Sequence, residues 1–241
     1  MPDQLAEIPT WFHAISIASL GLASACACVV LADVIRRPQR MRIMNIVWPV
    51  CTLFGSMGVA WLYFRYGRLD ARAAGGHPIR SKPGAVSVLE AALHCGSGCA
   101  LGDIVAESVA LFVPAVLIAF GWTVLFHEKL WAIWIFDLVL AWLFGIVFQY
   151  FTIAPMRHLS VAEGLRAAVK ADTLSILSWQ IGMYLVMAWA QLKLFPNWIG
   201  SEIKADTPEF WFAMQIAMLA GLVTSVPMNR WLIKKGWKES M

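Results

Sequence analysis

Charge is scarce in this chain. Only 14% of its 241 residues are Asp, Glu, Lys or Arg, while 60% are apolar. A soluble domain averages about 25% charged and about 45–50% apolar residues, so a water-facing globular core cannot account for this balance. A secretory leader is also not expected, because Met1 to Glu7 is acidic where a basic n-region would stand. The first apolar stretch is long enough to remain as a span. Cysteine is limited to five residues, an odd count, and Cys26, Cys28 and Cys51 fall within apolar stretches. Such cysteines act as small packing residues, and a disulfide framework does not suit a lipid-embedded core. The chain has no phosphate-binding loop, Ser/His/Asp pattern, haem-attachment motif, internal repeat, Gly/Ser linker or low-complexity tract.

What it does have is length and apolarity in the right units. A membrane-crossing helix needs about 20 mostly apolar residues, and thirteen tryptophans suit a chain with two lipid–water interfaces. Six stretches have that length, at about 11–32, 44–64, 104–126, 130–153, 173–193 and 210–233. Residues 85 to 126 form one apolar run about twice a normal span, interrupted by Gly96, Gly98 and Gly102. That run predicts a short or re-entrant segment over 85–103 before a full span, with one long helix as the competing reading. The expected fold is an all-α polytopic bundle of about six spans forming one integral membrane domain. It comprises two N-terminal spans (11–64), a polar linker (65–84), a core bundle (85–233) and a basic tail (234–241). Pro114 and Pro227 should kink their spans. Ala141 with Gly145, and Ala217 with Gly221, have the spacing of close helix contacts.

The formal charge of +4 comes mainly from short connections and the tail. These basic residues read as topology signals and headgroup contacts, not as a nucleic-acid face. They conflict, however. Arg36, Arg37, Arg40 and Arg42 favour a cytoplasmic first loop, and Arg230, Lys234, Lys235 and Lys238 favour a cytoplasmic C-terminus. With six crossings those two regions lie on opposite sides; a seventh crossing, through the His/Cys segment, would reconcile them, although the linker before it is also basic.

Chemistry concentrates in His94-Cys95-Gly96-Ser97-Gly98-Cys99-Ala100-Leu101-Gly102-Asp103. On a helix, Cys95, Cys99, Asp103 and Glu107 follow at steps of four and share one face, with Glu90 and His94 as a neighbouring pair. Polar groups are costly in lipid, so this stripe should face the bundle interior. A turn at the glycines would instead gather His94, Cys95 and Cys99 around one ion, with Asp103 as an N-cap. Thiolate, imidazole and carboxylate together point to a transition metal, copper or zinc, or to thiol redox chemistry. The spacing is no standard zinc signature. A helix would hold Cys95 and Cys99 near the limit of disulfide geometry. Met183 with Met187 and Met214 with Met218 offer thioethers at helical spacing, which favour Cu(I) if they are not core filler. Asp137, Gln149, Asp172 and Gln215 are candidates for a polar path, with Lys170 or Arg166 as partners for a buried aspartate; interhelical hydrogen bonding is the alternative. His94 or His127 also leaves room for a haem axial ligand.

Four stretches carry a family resemblance: HCGSGCALGDI (His94 to Ile104), DLVLAWLFGIVFQYF (Asp137 to Phe151), KADTLSIL (Lys170 to Leu177) and EFWFAMQIAMLAGLVTSVPMNRWLIKKGWKE (Glu209 to Glu239). Together they resemble the membrane-protein family of domain of unknown function number 4396, from about Met41 onward. The resemblance implies a helical integral membrane protein of prokaryotic type, in the cytoplasmic membrane, and carries over no mechanism. The leading functional expectation is a membrane protein that binds a soft metal, copper favoured, for transport or for delivery with a metallochaperone. A membrane thiol or cofactor oxidoreductase using Cys95 and Cys99 is the second expectation, and a packing or assembly subunit the third. Oligomeric state stays open.

Overall fold

The computed structural model describes residues 8–69 and 83–238. The linker expected at 65–84 lies largely outside the described residues. Helix dominates, in the order α1 (Thr10–Arg36), α2 (Met44–Leu62, continued by a π-helical turn Tyr63–Gly67), α3 (Gly84–Phe112), α4 (Lys129–Arg157), α5 (Val161–Trp189), α6 (Phe195–Ile199) and α7 (Pro208–Lys234). Six of these helices are long and apolar enough to cross a bilayer, and their lipid-facing sides expose residues such as Trp11, Ile35, Met57, Phe151, Leu185 and Val223. The chain is an integral membrane protein.

The long apolar run matches neither reading in full: it is one unbroken helix, but only as far as Phe112. α3 is one continuous helix, so no re-entrant segment forms over 85–103, and the third span is Gly84–Phe112 rather than 104–126. Two causes are visible. Pro114 lacks an N–H and disfavours helical geometry before it, so α3 ends at Phe112 and a 3₁₀ segment, Pro114–Phe120, follows. The glycines serve close packing instead of a turn. A Cβ at Gly98 would lie 2.9 Å from the Gly145 backbone nitrogen, and one at Gly102 would lie 2.7 Å from that of Ala141. α3 and α4 therefore run antiparallel with small residues facing small residues.

The re-entrant element is α2. Trp48 and Tyr63 have ring centroids 5.4 Å apart, although fifteen residues of straight helix would separate them by about 22 Å. The reversal is at Ser56, whose φ of 44° and ψ of −131° break the helix just after Gly55. Both ends of α2 thus return to one level. Tyr63 donates to Asp33 at 2.8 Å and Arg68 pairs with it at 2.9 Å, both at the C-terminal end of α1. The tip is held mid-bundle, where Gln215 of α7 donates to the Leu53 carbonyl at 2.7 Å and accepts from Ser19 of α1 at 2.7 Å. Gln215 thereby ties the hairpin tip to α1 and α7.

Contacts between helix ends give the remaining directions. His13 pairs with Glu209 near the starts of α1 and α7, Lys129 reaches the Ala110 carbonyl, and Tyr184 reaches the Trp134 carbonyl. One face carries Arg36, Arg37, Arg40, Arg42, Arg65, Arg68, Arg157, Arg230, Lys234 and Lys235; the other mixes Lys129, Lys193 and Lys204 with Glu128, Glu202, Asp206 and Glu209. With α2 turning back, five of the described long helices run from one face to the other, and the loop after α1 shares a face with the C-terminal tail. The conflict between the two basic regions disappears. Single cysteines at Pro38, Gly84, Lys235 and Glu202, introduced with Cys26, Cys28 and Cys51 changed to Ala, test this. An impermeant maleimide should label Pro38→Cys, Gly84→Cys and Lys235→Cys from one side and Glu202→Cys from the other. Labelling of Pro38→Cys and Glu202→Cys from a common side would mean that α2 crosses.

Candidate functional site

α3 has little amphipathic character because it is enclosed by neighbours on all sides over its middle. Glu90, His94, Cys95 and Cys99 are fully buried, and Asp103 and Glu107 are 3% and 7% exposed. From Glu90 to Glu107 this series covers about 25 Å of helix. Cys95, Cys99, Asp103 and Glu107 do form the four-step stripe, and it faces the bundle interior. The stripe carries two separate polar clusters.

The cluster nearer the basic face centres on Cys95. Its thiol donates to Asp172 of α5 at 2.6 Å. Ser175, one helical turn further along α5, donates to the Cys95 sulfur at 2.9 Å and accepts from Asn229 of α7 at 2.7 Å. Lys238, just beyond α7, reaches into the same place. Its ammonium contacts the Cys95 sulfur and pairs with Asp172 at 2.9 Å, both side chains being fully buried. Burial alone would push the Lys238 pKa down, but the Asp172 carboxylate and Cys95 outweigh it and hold it above the ordinary lysine value. The contribution of this charge to stability is fully present below the ordinary lysine pKa and is lost as pH rises through the raised one. From the sequence Lys238 reads as a topology residue, and Lys170 or Arg166 are the expected partners for a buried aspartate. Lys170 instead lies over the Trp237 ring at 4.3 Å. Nothing in a tail lysine's local sequence announces that it folds back.

His94 sits beside this cluster, close enough to feel the charges of Asp172 and Lys238. Neither ring nitrogen has a partner of hydrogen-bonding geometry, although the Phe148 backbone is near. One further four-residue step along the register that pairs Gly102 with Ala141 and Gly98 with Gly145 brings His94 level with Gln149, whose buried amide is also without a partner.

The second cluster lies toward the opposite face. Asp103 and Asp137 of α4 lie carboxyl to carboxyl, near enough to interact directly. Asp137 also accepts from Tyr184 at 2.6 Å and Gln180 at 3.1 Å. Glu107, one turn beyond Asp103, borders a cavity of about 160 Å³ whose wall includes Lys129, Gln191, Glu202 and Lys204. On its lateral side, Asp103 borders a larger cleft of about 370 Å³ between α1, α2, α3 and α7, lined by Met214, Met218 and Leu20 among others.

The structure therefore divides the expected metal set. Cys95 joins Asp172, and Asp103 joins Asp137, but among the described residues no three His, Cys, Asp or Glu side chains converge in metal-binding geometry. All five cysteines are free. Met183, Met187, Met214 and Met218 lie in the main apolar core, where Met218 accepts from the Trp179 indole at 3.3 Å.

Fold and site together define a polytopic helical membrane protein with a line of buried ionisable groups through its interior. The family model described as "Domain of unknown function (DUF4396)" matches residues 86–238, and the chain belongs to that family. No curated protein and no solved structure matches it.

Removing one partner of a buried ion pair leaves the other charge unpaired, which costs about 3–5 kcal/mol. Lys238→Ala should destabilise the purified protein by that order in denaturant or thermal unfolding. Lys238→Met combined with Asp172→Asn should recover most of the loss. Equal losses in the single and double variants would show that the charges are not what the cluster depends on.

Proposed function

We propose that this protein transports a small cation across the membrane along the buried polar face of α3, with the proton as its first cargo. The observation that carries this is the series Glu90, His94, Cys95, Cys99, Asp103 and Glu107, six ionisable or thiol groups shielded from lipid on one membrane-crossing helix. Ionisable groups inside a membrane are costly and mark ion pathways and proton relays. A bundle that needed only packing would fill these positions with apolar residues. Asp103 and Asp137 are paired carboxyl groups of the kind that can pass a proton between them, and Glu107 connects that pair to the cavity at the opposite face. By the positive-inside rule the basic face is cytoplasmic, in a prokaryotic inner membrane. Entry then follows Glu107, Asp103 with Asp137, Cys99, and Cys95 with Asp172.

A soft metal such as Cu(I) is the second cargo reading, received from or delivered to a metallochaperone. The specific observation in its favour is that Cys95 and Asp172, with His94 beside them, surround a position already taken by a cation, the Lys238 ammonium. The thiol-redox reading has less support: the Cys95 sulfur is engaged by Asp172, Ser175 and Lys238, and Cys99 lies four residues on along an unbroken helix.

Proteoliposomes loaded with a pH-sensitive dye test the first reading. Under an imposed potential, wild-type protein should acidify or alkalinise the lumen faster than empty vesicles. Asp103→Asn and Asp137→Asn should each slow this about tenfold or more, as loss of a proton-transferring group does. Wild-type rates equal to those of empty vesicles would end the proton reading. In parallel, elemental analysis after Cu(I) loading should find about one copper per chain if the metal reading holds, lost in Cys95→Ser. Protein that retains no copper would end that one, and its absorption spectrum would reveal any haem.

A further inference from the structure

We infer that Cys95, Asp172 and Ser175 form a cation-binding site in which the chain's own Lys238 ammonium is a tethered, exchangeable occupant, so that the C-terminal tail competes with the transported cation. This rests on the transport reading and specifies how one of its sites is regulated.

Lys238 is not part of any membrane helix. α7 ends at Lys234, and the tail reverses at Gly236, whose φ of +67° suits glycine and whose missing Cβ would meet nothing within 4 Å. The turn sends Lys238 back into the bundle, where its ammonium meets Asp172 at 2.9 Å and the Cys95 sulfur. A long, flexible side chain supplies here the single positive charge that a buried carboxylate needs.

The site has more donor atoms than this ammonium uses. Oδ2 of Asp172 and Oδ1 of Asn229 are buried without a hydrogen-bonding partner, and the buried His94 imidazole beside them has one acceptor nitrogen. On one side, Gly145 leaves Asp172 unobstructed: a Cβ there would come within 2.8 Å of Oδ2. Oxygen and nitrogen acceptors in excess of the available hydrogens, around one carboxylate, describe a site for a monovalent cation. Exchange of that cation for the ammonium keeps the net charge of the buried site unchanged, so neither state leaves Asp172 unpaired.

The tail is held by contacts of a kind that can be broken. Trp237 packs against the exposed Trp231 with ring centroids 5.6 Å apart, and the Lys170 ammonium lies over its ring. Rotation at Gly236 withdraws Lys238 toward the basic face without disturbing α7.

The test uses full-length protein in detergent, with Na⁺, K⁺ or Cu(I) titrated against N-methylglucamine at constant ionic strength. Lys238→Gln leaves the site without its tethered charge. Its melting temperature should therefore rise saturably with one of these cations, by about 5–10 °C at roughly hundredfold excess over Kd. Wild type should need a higher cation concentration for the same rise, because Lys238 competes for the site, and the double variant Asp172→Asn/Lys238→Gln should show no such rise. Absence of saturable cation dependence in Lys238→Gln, or an equal response in the double variant, would overturn the inference. If Lys238→Gln does not survive purification, alkylation of Cys95 by N-ethylmaleimide in native membranes provides the reading. It should be faster in Lys238→Gln than in wild type and slowed by the same cation; equal rates in both would overturn the inference. These binding readouts are independent of flux. A wild type that moves no cation in proteoliposomes would defeat the transport reading while leaving the occupancy of the site to be decided by melting.

Discussion

Every other element answers to one constraint: the polar face of α3 must never meet lipid. Six ionisable or thiol side chains along about 25 Å of one helix would each be expensive in hydrocarbon. α4 lies so close that the Gly98 and Gly102 backbone contacts the backbone of Gly145 and Ala141. α5 and α7 cover a second side, brought together by Gly182 against the Ala220 carbonyl and Gly221 against the Trp179 indole. α2 seals the rest, with Cys51 donating to the Leu93 carbonyl and Phe54 packed edge-on to Trp179. The small residues are the means of enclosure. Without a water-driven hydrophobic effect between helices, close backbone approach is what holds such a bundle together.

The hairpin in α2 follows from the same need. Its two arms fill only the half of the bundle nearer the basic face, against the part of α3 that carries Leu93. Its tip leaves the lateral cleft beneath it, where Asp103 is reached between α1 and α7. Because it does not cross, the number of crossings among the described helices is odd, and the arginine-rich loop after α1, the end of α2 and the lysine-rich tail collect on one side. Ser56 bears the backbone cost of this reversal, in a φ/ψ region that non-glycine residues rarely adopt.

The sequence made the all-α membrane bundle legible, since span length and apolarity are local properties. The Ala141/Gly145 pairing was legible for the same reason, as was the α3 stripe: Cys95, Cys99, Asp103 and Glu107 needed only the four-residue period. Four features were not legible, and each depends on something nonlocal. Gly96, Gly98 and Gly102 look alike as helix breakers and as contact points, and only the presence of α4 and Trp179 decides between them. The α2 reversal is hidden in an apolar stretch of ordinary span length, although the charge conflict it resolves was visible. Lys238 lies far in sequence from Asp172 and Cys95, and a basic tail reads as a topology signal wherever its lysines go. The pairing of Asp103 with Asp137 likewise joins two helices whose register only packing sets.

Two polar clusters on one helix face, rather than one continuous line, have a mechanistic consequence. Cys95 and Asp103 are eight residues apart, about 12 Å along α3, and the one ionisable α3 side chain on the stripe between them is the fully buried Cys99. The Asp103–Asp137 cluster opens toward the opposite face through Glu107, whereas the Cys95–Asp172 cluster is closed at the basic face by Lys238. On the proposed transport reading, a cation would therefore not run through an open channel. It would wait at one of two half-sites, separated by the part of the α3–α4 seam where Gly98 and Gly102 meet Gly145 and Ala141. Passage would then require that seam to loosen while Lys238 withdraws, and closely packed interfaces tend to shift between discrete arrangements rather than stretch continuously. Opening at the tail and passage past Cys99 are then separate events, which is the arrangement a transporter needs if its two faces are never to be connected at once.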